Sequence, residues 1–354
     1  MIEIDGSQKS GSGTIVRDAI TYAVLLGQGV RITHIRAQRE KPGLRPQHLG
    51  VVQAYARWTG ANVRGAEIGS EEIEFVPKRP LKDYFLEWDI GTSGSATLFS
   101  LAVLPVLQFA RFPTKLDVKG GLFQDHAPTA LYLQHVLSYA LRQMGATASF
   151  EIHRPGFIPT GNGEFSVSTQ PLQGPLKPLQ LLEQGQISAV NGIALSSHLK
   201  ERNVSDRMAG EAMKVLRATS LQSSITVAYD ETDMPLYYKP APQPGAALCL
   251  WVYSSTKATL GADMAGAPRR SSEWIGRNTA RQLLQDIQSG ATVDRHLADM
   301  LIPFAALADG ESLYRIPQMT GHIEARLWLM ETMLGASWEL EGTLLRIGGI
   351  GFRP

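Results

Sequence analysis

The chain has a single cysteine, Cys249, so it can form no internal disulfide and no cysteine-based zinc cluster. That scarcity suits a reducing compartment. No apolar run approaches the length of a membrane span, and Met1 to Gly11 contains no apolar signal segment. A cytoplasmic protein without membrane contact is the expectation. Charge of one sign is also missing: 34 lysines and arginines stand against 33 aspartates and glutamates, a net of +1. There is no global basic field, so a nucleic acid would be held at a local patch. Several catalytic signatures are absent too. Gly11 to Thr14 lacks the Gly-Lys-Ser/Thr ending of a Walker A loop, no histidine pair has helical metal-ligand spacing, and no Ser-His-Asp order stands out. His34, His135, His153 and His198 read as packing or surface residues. What remains, 44% hydrophobic and 19% charged residues over 354 positions, is the composition of a soluble globular protein with two or more folding units.

The most informative stretch is Ile35 to Leu49, IRAQREKPGLRPQHL. Pro42-Gly43 is a turn signal, and Pro46 suits the first position of a helix, where its missing N–H costs nothing. Arg36, Arg39 and Arg45 are thereby set beside the free N–H groups of a new helix. Guanidinium forks and a helix N-terminus together favour a phosphate-rich ligand.

The element order around this loop is βαβαββ: a strand at Ile2 to Asp5, the glycine-serine loop, a helix from Thr14 to Leu26 and a strand from Val30 to Arg36. The basic loop, a helix from Pro46 to Thr59 and two strands complete the unit. The order then repeats. Thr14 to Thr97 is a step of 83 residues, and Gly60-Ala61 to Gly145-Ala146 is a step of 85. A third Gly-Ala, at Gly335, follows after 190 residues, so about 105 residues are inserted in a third unit. The expected fold is α/β, three βαβαββ units with a small inserted α/β domain. Residues 1–178 and 268–354 would form the main body and 179–267 the insert, with helices at 272–288 and 294–308 back in the main body. His322 lies 13 residues before Gly335, as His48 lies 12 before Gly60, so it falls at the helix start of the third unit. A helix N-terminus keeps an imidazole neutral and attracts phosphate. Thr320 is the expected cap.

The loop Ile35 to Leu49 is similar to the signature loop of the RNA 3′-terminal phosphate cyclase family. Matching pieces extend along nearly the whole chain: Asp5-Gly6-Ser7 and Arg17, Gly65 to Ser70, Val118 to Gly121, Gly156 to Gly163, Leu297-Ala298-Asp299 and the segment around His322. The resemblance implies the cyclase and enolpyruvyl transferase-like fold. It further implies ATP-dependent conversion of an RNA 3′-phosphate end into a 2′,3′-cyclic phosphate, with a divalent metal, magnesium or manganese. By the same resemblance His322 is the nucleophile, forming a covalent histidine–AMP. Asp299, His296, Arg17 and Gln8 would bind the nucleotide, and Arg36, Arg39, Arg45, Gln47 and His48 the phosphates and RNA.

The chain departs from the family pattern in places. The family's glutamate falls at Ser10, its Gly-Gly-Gly-Gln reads Gly11-Ser12-Gly13-Thr14, and a glutamine falls at Leu101. The adenosine-holding Tyr-Leu-Ala-Asp-Gln reads His296-Leu297-Ala298-Asp299-Met300. No metal ligand set and no oligomeric state can be read. Three alternatives stand beside the cyclase: a non-catalytic cyclase-like RNA-binding or RNA-processing protein, a nucleotidyl transferase acting on another phosphorylated end, and an enolpyruvyl transferase. The last is disfavoured by layout, since those enzymes use six units in two domains.

Overall fold

The computed structural model describes residues 1–81, 83–91, 93–230 and 236–353. The first repeat runs β1 (Ile2–Asp5), α1 (Gly13–Leu26), β2 (Val30–Thr33), α2 (Pro46–Thr59), β3 (Asn62–Arg64) and β4 (Ile73–Val76). The second runs β5 (Phe85–Asp89), α3 (Ala96–Gln108) and β6 (Thr114–Gly120), then a helix of three parts, α4 (Ala130–Tyr132), a π turn (Leu133–Leu137) and α5 (Ser138–Gln143), and closes with β7 (Thr147–Arg154) and β8 (Gly163–Gln170). The third opens with β9 (Gln180–Leu181). It is interrupted by β10 (Ile187–Ser197), α6 (Val204–Leu216), β11 (Gln222–Ala228), β12 (Gly245–Ser254), β13 (Thr259–Ala265) and α7 (Ser272–Gln288). It resumes with α8 (Leu297–Met300), α9 (Ile302–Leu307), β14 (Glu311–Arg315), α10 (Gly321–Leu334), β15 (Ser337–Glu341) and β16 (Leu344–Gly348).

The three repeats share one sheet topology: β1-β2-β4-β3, β5-β6-β8-β7 and β9-β14-β16-β15. In each the first pair is parallel and the others antiparallel. A parallel pair needs a crossover, which the first helix of each repeat supplies. The three Gly-Ala landmarks share a geometry as well. Gly60, Gly145 and Gly335 have φ of 63°, 81° and 70°, the left-handed conformation that ends a helix and that residues with a Cβ resist. The α/β fold of three βαβαββ units with an insert is the observed one.

One hydrophobic core runs through all three repeats. At its centre, α1 is buried on every side from Gly13 to Val24, where a one-sided helix would expose a face. It packs against α2, α3 and α10. Arg17 and Asp18 are therefore interior charges, a point that matters for the site.

The insert has different edges from those expected. Gln180 and Leu181 pair with Leu313 and Tyr314, so β9 is the first strand of the third sheet and lies outside the insert. Helix α7 packs on α6, and its Ile275, Ala280 and Leu283 share a separate core with Met208, Leu216 and Leu248. The inserted unit thus runs from β10 through α7, residues 187–288, in place of 179–267. The physical reason is that β9 is only two residues long, too short for a period, and the apolar face of α7 would fit either core. The expected helix over 294–308 is also two short helices, and β2 stops at Thr33 because His34 and Arg36 turn the chain with φ of 49° and 55°.

Candidate active site

A cleft of about 700 Å³ opens where the N-terminal turns of several helices meet. Ser12, Gly13 and Thr14 come from α1, Gln47 and His48 from α2, Leu98 and Leu101 from α3, and His322 from α10. Each turn brings unpaired N–H groups and positive dipole ends. Arg17, Arg36, Arg39 and Arg326 add four guanidinium groups. Gln124 to Thr129, Asp263 and Met264 of β13, and His296, Asp299 and Met300 complete the wall.

His322 is the second residue of α10, whose cap is Thr320: its hydroxyl accepts from Ile323 N at 3.2 Å. The ring is exposed to solvent at the cleft. Its Nδ1 lies 3.3 Å from Thr14 Oγ1, which also accepts from Arg17 Nη2 at 3.2 Å. Among the described residues Nε2 has no partner. Partial burial holds the imidazole below its ordinary pKa; Arg326, Arg17 and Arg39 push the same way, and Asp299 opposes them.

Behind the ring is a buried ion network. Arg326, four residues after His322 on the same helix face, places Nε 3.0 Å from Asp18 Oδ2 and 3.7 Å from Asp299 Oδ2, and donates from Nη1 to the Asp299 carbonyl at 2.5 Å. Burial raises the Asp18 pKa against the pull of Arg326 and Arg17. Arg17 itself is pushed down to about 10 by burial. The charges are held by one another, which is the condition for keeping them inside.

The basic loop is braced from within. Arg36 Nη1 donates to the carbonyls of Lys41 at 2.7 Å and Gly43 at 3.2 Å. The segment Gly65 to Ser70 supports it, with Leu44 N bonded to the Ser70 carbonyl and Gly69 N to the Leu44 carbonyl. Arg39 is exposed and has no acceptor among the described residues, so its fork is open to a ligand.

Of the ten residues singled out in the sequence, eight line this cleft: His322, Asp299, His296, Arg17, Arg36, Arg39, Gln47 and His48. Two do not. Gln8 is exposed, donates to Asp5 Oδ2 at 3.0 Å, and is not part of the cleft wall. Arg45 sits at the N-cap of α2, where its backbone N–H donates to His48 Nδ1 at 3.2 Å. His48 is only 2% exposed, and burial pushes its pKa down to about 2. A neutral, buried ring caps α2, its Nδ1 accepting from the Arg45 backbone. The histidines read as packing or surface residues are so placed: His135 stacks on Trp251 at 4.1 Å, His153 meets Ser166, His198 reaches the Ala241 carbonyl and His34 pairs with Asp5.

The structure also adds residues that the sequence left unmarked: Thr14, Asp18, Arg326, Asp263 and the 124–129 loop. Helical spacing was a usable signal for two of them, since Arg326 follows His322 and Asp18 follows Thr14 by four positions. Nothing local marks Asp263. It reaches the cleft because β13 docks on the second repeat, where Asp263 Oδ2 accepts from Thr129 N at 2.5 Å. The ion pair of Arg270 with Asp125, at 2.8 and 2.9 Å, strengthens the same junction.

Ser12, 5% exposed, has a hydroxyl with no partner among the described residues, and it lines the cleft beside the first N–H groups of α1. An orphaned donor at a helix start, with arginines opposite, fits the oxygens of a phosphorylated substrate. The described residues form no all-protein cage for a divalent metal, and Mg²⁺ is commonly held by one or two carboxylates together with substrate phosphates. Among the described residues no group of three or more His, Cys, Asp or Glu side chains is placed to hold one, and Asp18 and Asp299 are engaged by Arg326. No helix among them is long and apolar enough to cross a membrane.

Comparison with known proteins identifies the family. The family model described as RNA 3′-terminal phosphate cyclase matches residues 8–340. A protein of that name from Staphylothermus marinus is 34% identical, covering 100% of this chain and 99% of its own. Another from Caldivirga maquilingensis is 37% identical over 96% of this chain and 94% of its own. Among solved structures, the enolpyruvyl transferase NikO from Streptomyces tendae overlaps 99% of this chain at a TM-score of 0.41 and 11% identity. The chain spans 49% of that protein, and a likeness this loose adds nothing to the functional argument.

Proposed function

Because the chain belongs to the RNA 3′-terminal phosphate cyclase family, we propose that it converts an RNA 3′-terminal phosphate into a 2′,3′-cyclic phosphate at the expense of ATP, with His322 as the nucleophile. In the first step a ring nitrogen of His322 bonds to the α-phosphorus of ATP as the bond to the β-phosphate oxygen breaks, and pyrophosphate leaves. The AMP then passes from the ring to an oxygen of the RNA 3′-phosphate. Finally the neighbouring 2′-hydroxyl oxygen attacks that phosphorus, loses its proton, and displaces AMP.

The observation that carries the reading is His322 itself, solvent-accessible at a helix start in an arginine-lined cleft, with one ring nitrogen unpartnered among the described residues. A histidine placed there is kept neutral and faces an anion site, which is what a nucleophile toward phosphorus needs. Arg17, Arg36 and Arg39 are suited to phosphate oxygens, and Asp299 to the nucleoside. Apolar side chains of Leu98, Leu101, Met264 and Met300 offer a wall for a base.

The test is incubation with ATP labelled at the α-phosphate, in parallel with His322→Ala, followed by a denaturing gel and a chase with RNA ending in a 3′-phosphate. The expected result is an acid-labile labelled band, absent from the variant and discharged by the RNA. Discharge by a different phosphorylated acceptor would make the chain a nucleotidyl transferase of another kind. No band with any nucleotide would leave a non-catalytic RNA-binding member of the family.

A further inference from the structure

Two helix N-termini meet at the candidate nucleophile. Thr14, second residue of α1, and His322, second residue of α10, face each other with Oγ1 3.3 Å from Nδ1. The approach is held from both sides. Thr14 is 3% exposed, and its oxygen accepts from Arg17 Nη2. A Cβ added at Gly321 would stand 3.2 Å from Ser10 Cβ, so the glycine-serine loop packs directly on the start of α10.

We propose that Thr14 is the positioning residue for His322: its hydroxyl oxygen accepts the Nδ1–H of the neutral ring and leaves the Nε2 lone pair facing the cleft. The inference rests on the reading of His322 as nucleophile. A hydroxyl oxygen has two lone pairs and serves both Arg17 and the imidazole. The tautomer of a histidine is set by the bond its other nitrogen makes. Were the hydroxyl to donate to Nδ1 instead, the proton would sit on Nε2, and the remaining lone pair would point at α1, where no phosphorus can reach. With the oxygen accepting, attack by Nε2 forms the N–P bond as pyrophosphate departs. The Nδ1 proton stays in place through the adduct, and the positive charge that develops on the ring strengthens its bond to Thr14. The short threonine side chain reaches the ring here because α1 and α10 are in contact.

The experiment uses the full chain labelled with ¹⁵N in its histidine rings. Long-range ¹⁵N–¹H spectra of the free protein assign the His322 tautomer, with His322→Ala identifying the signals. The expected result is a protonated Nδ1 and a bare Nε2. In Thr14→Val that preference is lost, and AMP-adduct formation slows by about tenfold to a hundredfold, the usual cost of removing an orienting partner. Thr14→Val also removes the acceptor of Arg17 Nη2, so the tautomer, which needs no nucleotide, is read beside the rate. Thr14→Ser keeps the hydroxyl and restores both tautomer and rate. A wild-type ring protonated at Nε2 overturns the proposal, as does a Thr14→Val protein with unchanged tautomer and rate. The ring signals need no nucleotide. A wild-type chain that forms no AMP adduct therefore removes the nucleophile reading, while the tautomer still decides the Thr14 contact.

Discussion

At the scale of the residue, the cleft is a device for setting the charge of one imidazole. Burial and three arginines lower the His322 pKa from its ordinary 6.5, and Asp299 raises it. On the proposed reading of His322 as the nucleophile the ring must be neutral, so activity should rise with pH and reach its plateau with a midpoint below that of a free histidine. The signs for neighbours follow from Coulomb's law. Arg39→Ala removes a like charge and should move the midpoint up, and Asp299→Asn removes an opposite one and should move it down. The pH dependence of adduct formation measures all three. A wild-type midpoint above 6.5 would contradict the account.

At the scale of the element, the close packing of α1 on α2 restricts what either can carry. A Cβ at Gly13 would stand 1.8 Å from His48 Nε2, a collision with a ring that is itself buried. Gly13→Ala should cost about 1–3 kcal/mol through overpacking, read as a lower urea midpoint. His48 also ties this junction to pH. Its folded pKa of about 2 lies below the unfolded 6.5, so the unfolded chain binds a proton that the folded chain refuses. Stability from this group is therefore fully present above 6.5 and lost as pH falls toward 2. Urea midpoints should drop between pH 7 and pH 5, and His48→Gln should flatten that slope. An equal slope in the variant would place the titrating group elsewhere.

At the scale of the molecule, Asp294 joins three units. It is fully buried and accepts from Tyr132 Oη of the second repeat, from Gly261 N of the insert, and from His296 N and Leu297 N at the return to the third repeat. Asp294→Ala would leave a buried phenol and three backbone N–H groups without their acceptor. The expected loss is about 3 kcal/mol or more, since each orphaned donor costs its desolvation. Thermal unfolding should show it as a large fall in Tm. A change no larger than that of a surface substitution would mean the junction is held by other contacts, such as Arg270 with Asp125.

The sequence by itself determined what depends on neighbours along the chain. The repeat was legible because the helix-ending glycines Gly60, Gly145 and Gly335 answer a local need for left-handed φ. The Pro46 helix start, the Thr320 cap and the place of His322 followed from the same short-range rules. Tertiary structure decided what depends on partners far away. Pairing with β14 assigns the two residues of β9 to the third sheet, and the α6 core claims α7, although its apolar face is equally compatible with the main body. Gln8 bonds Asp5, the Arg45 backbone N–H bonds His48 at a helix start, and Asp263 reaches the cleft from an inserted strand. Arg326 meets Asp18 and Thr14 meets His322 only when α10 packs on α1. A side chain's chemistry is written in its type, but its partner is chosen by packing between elements that no local pattern records.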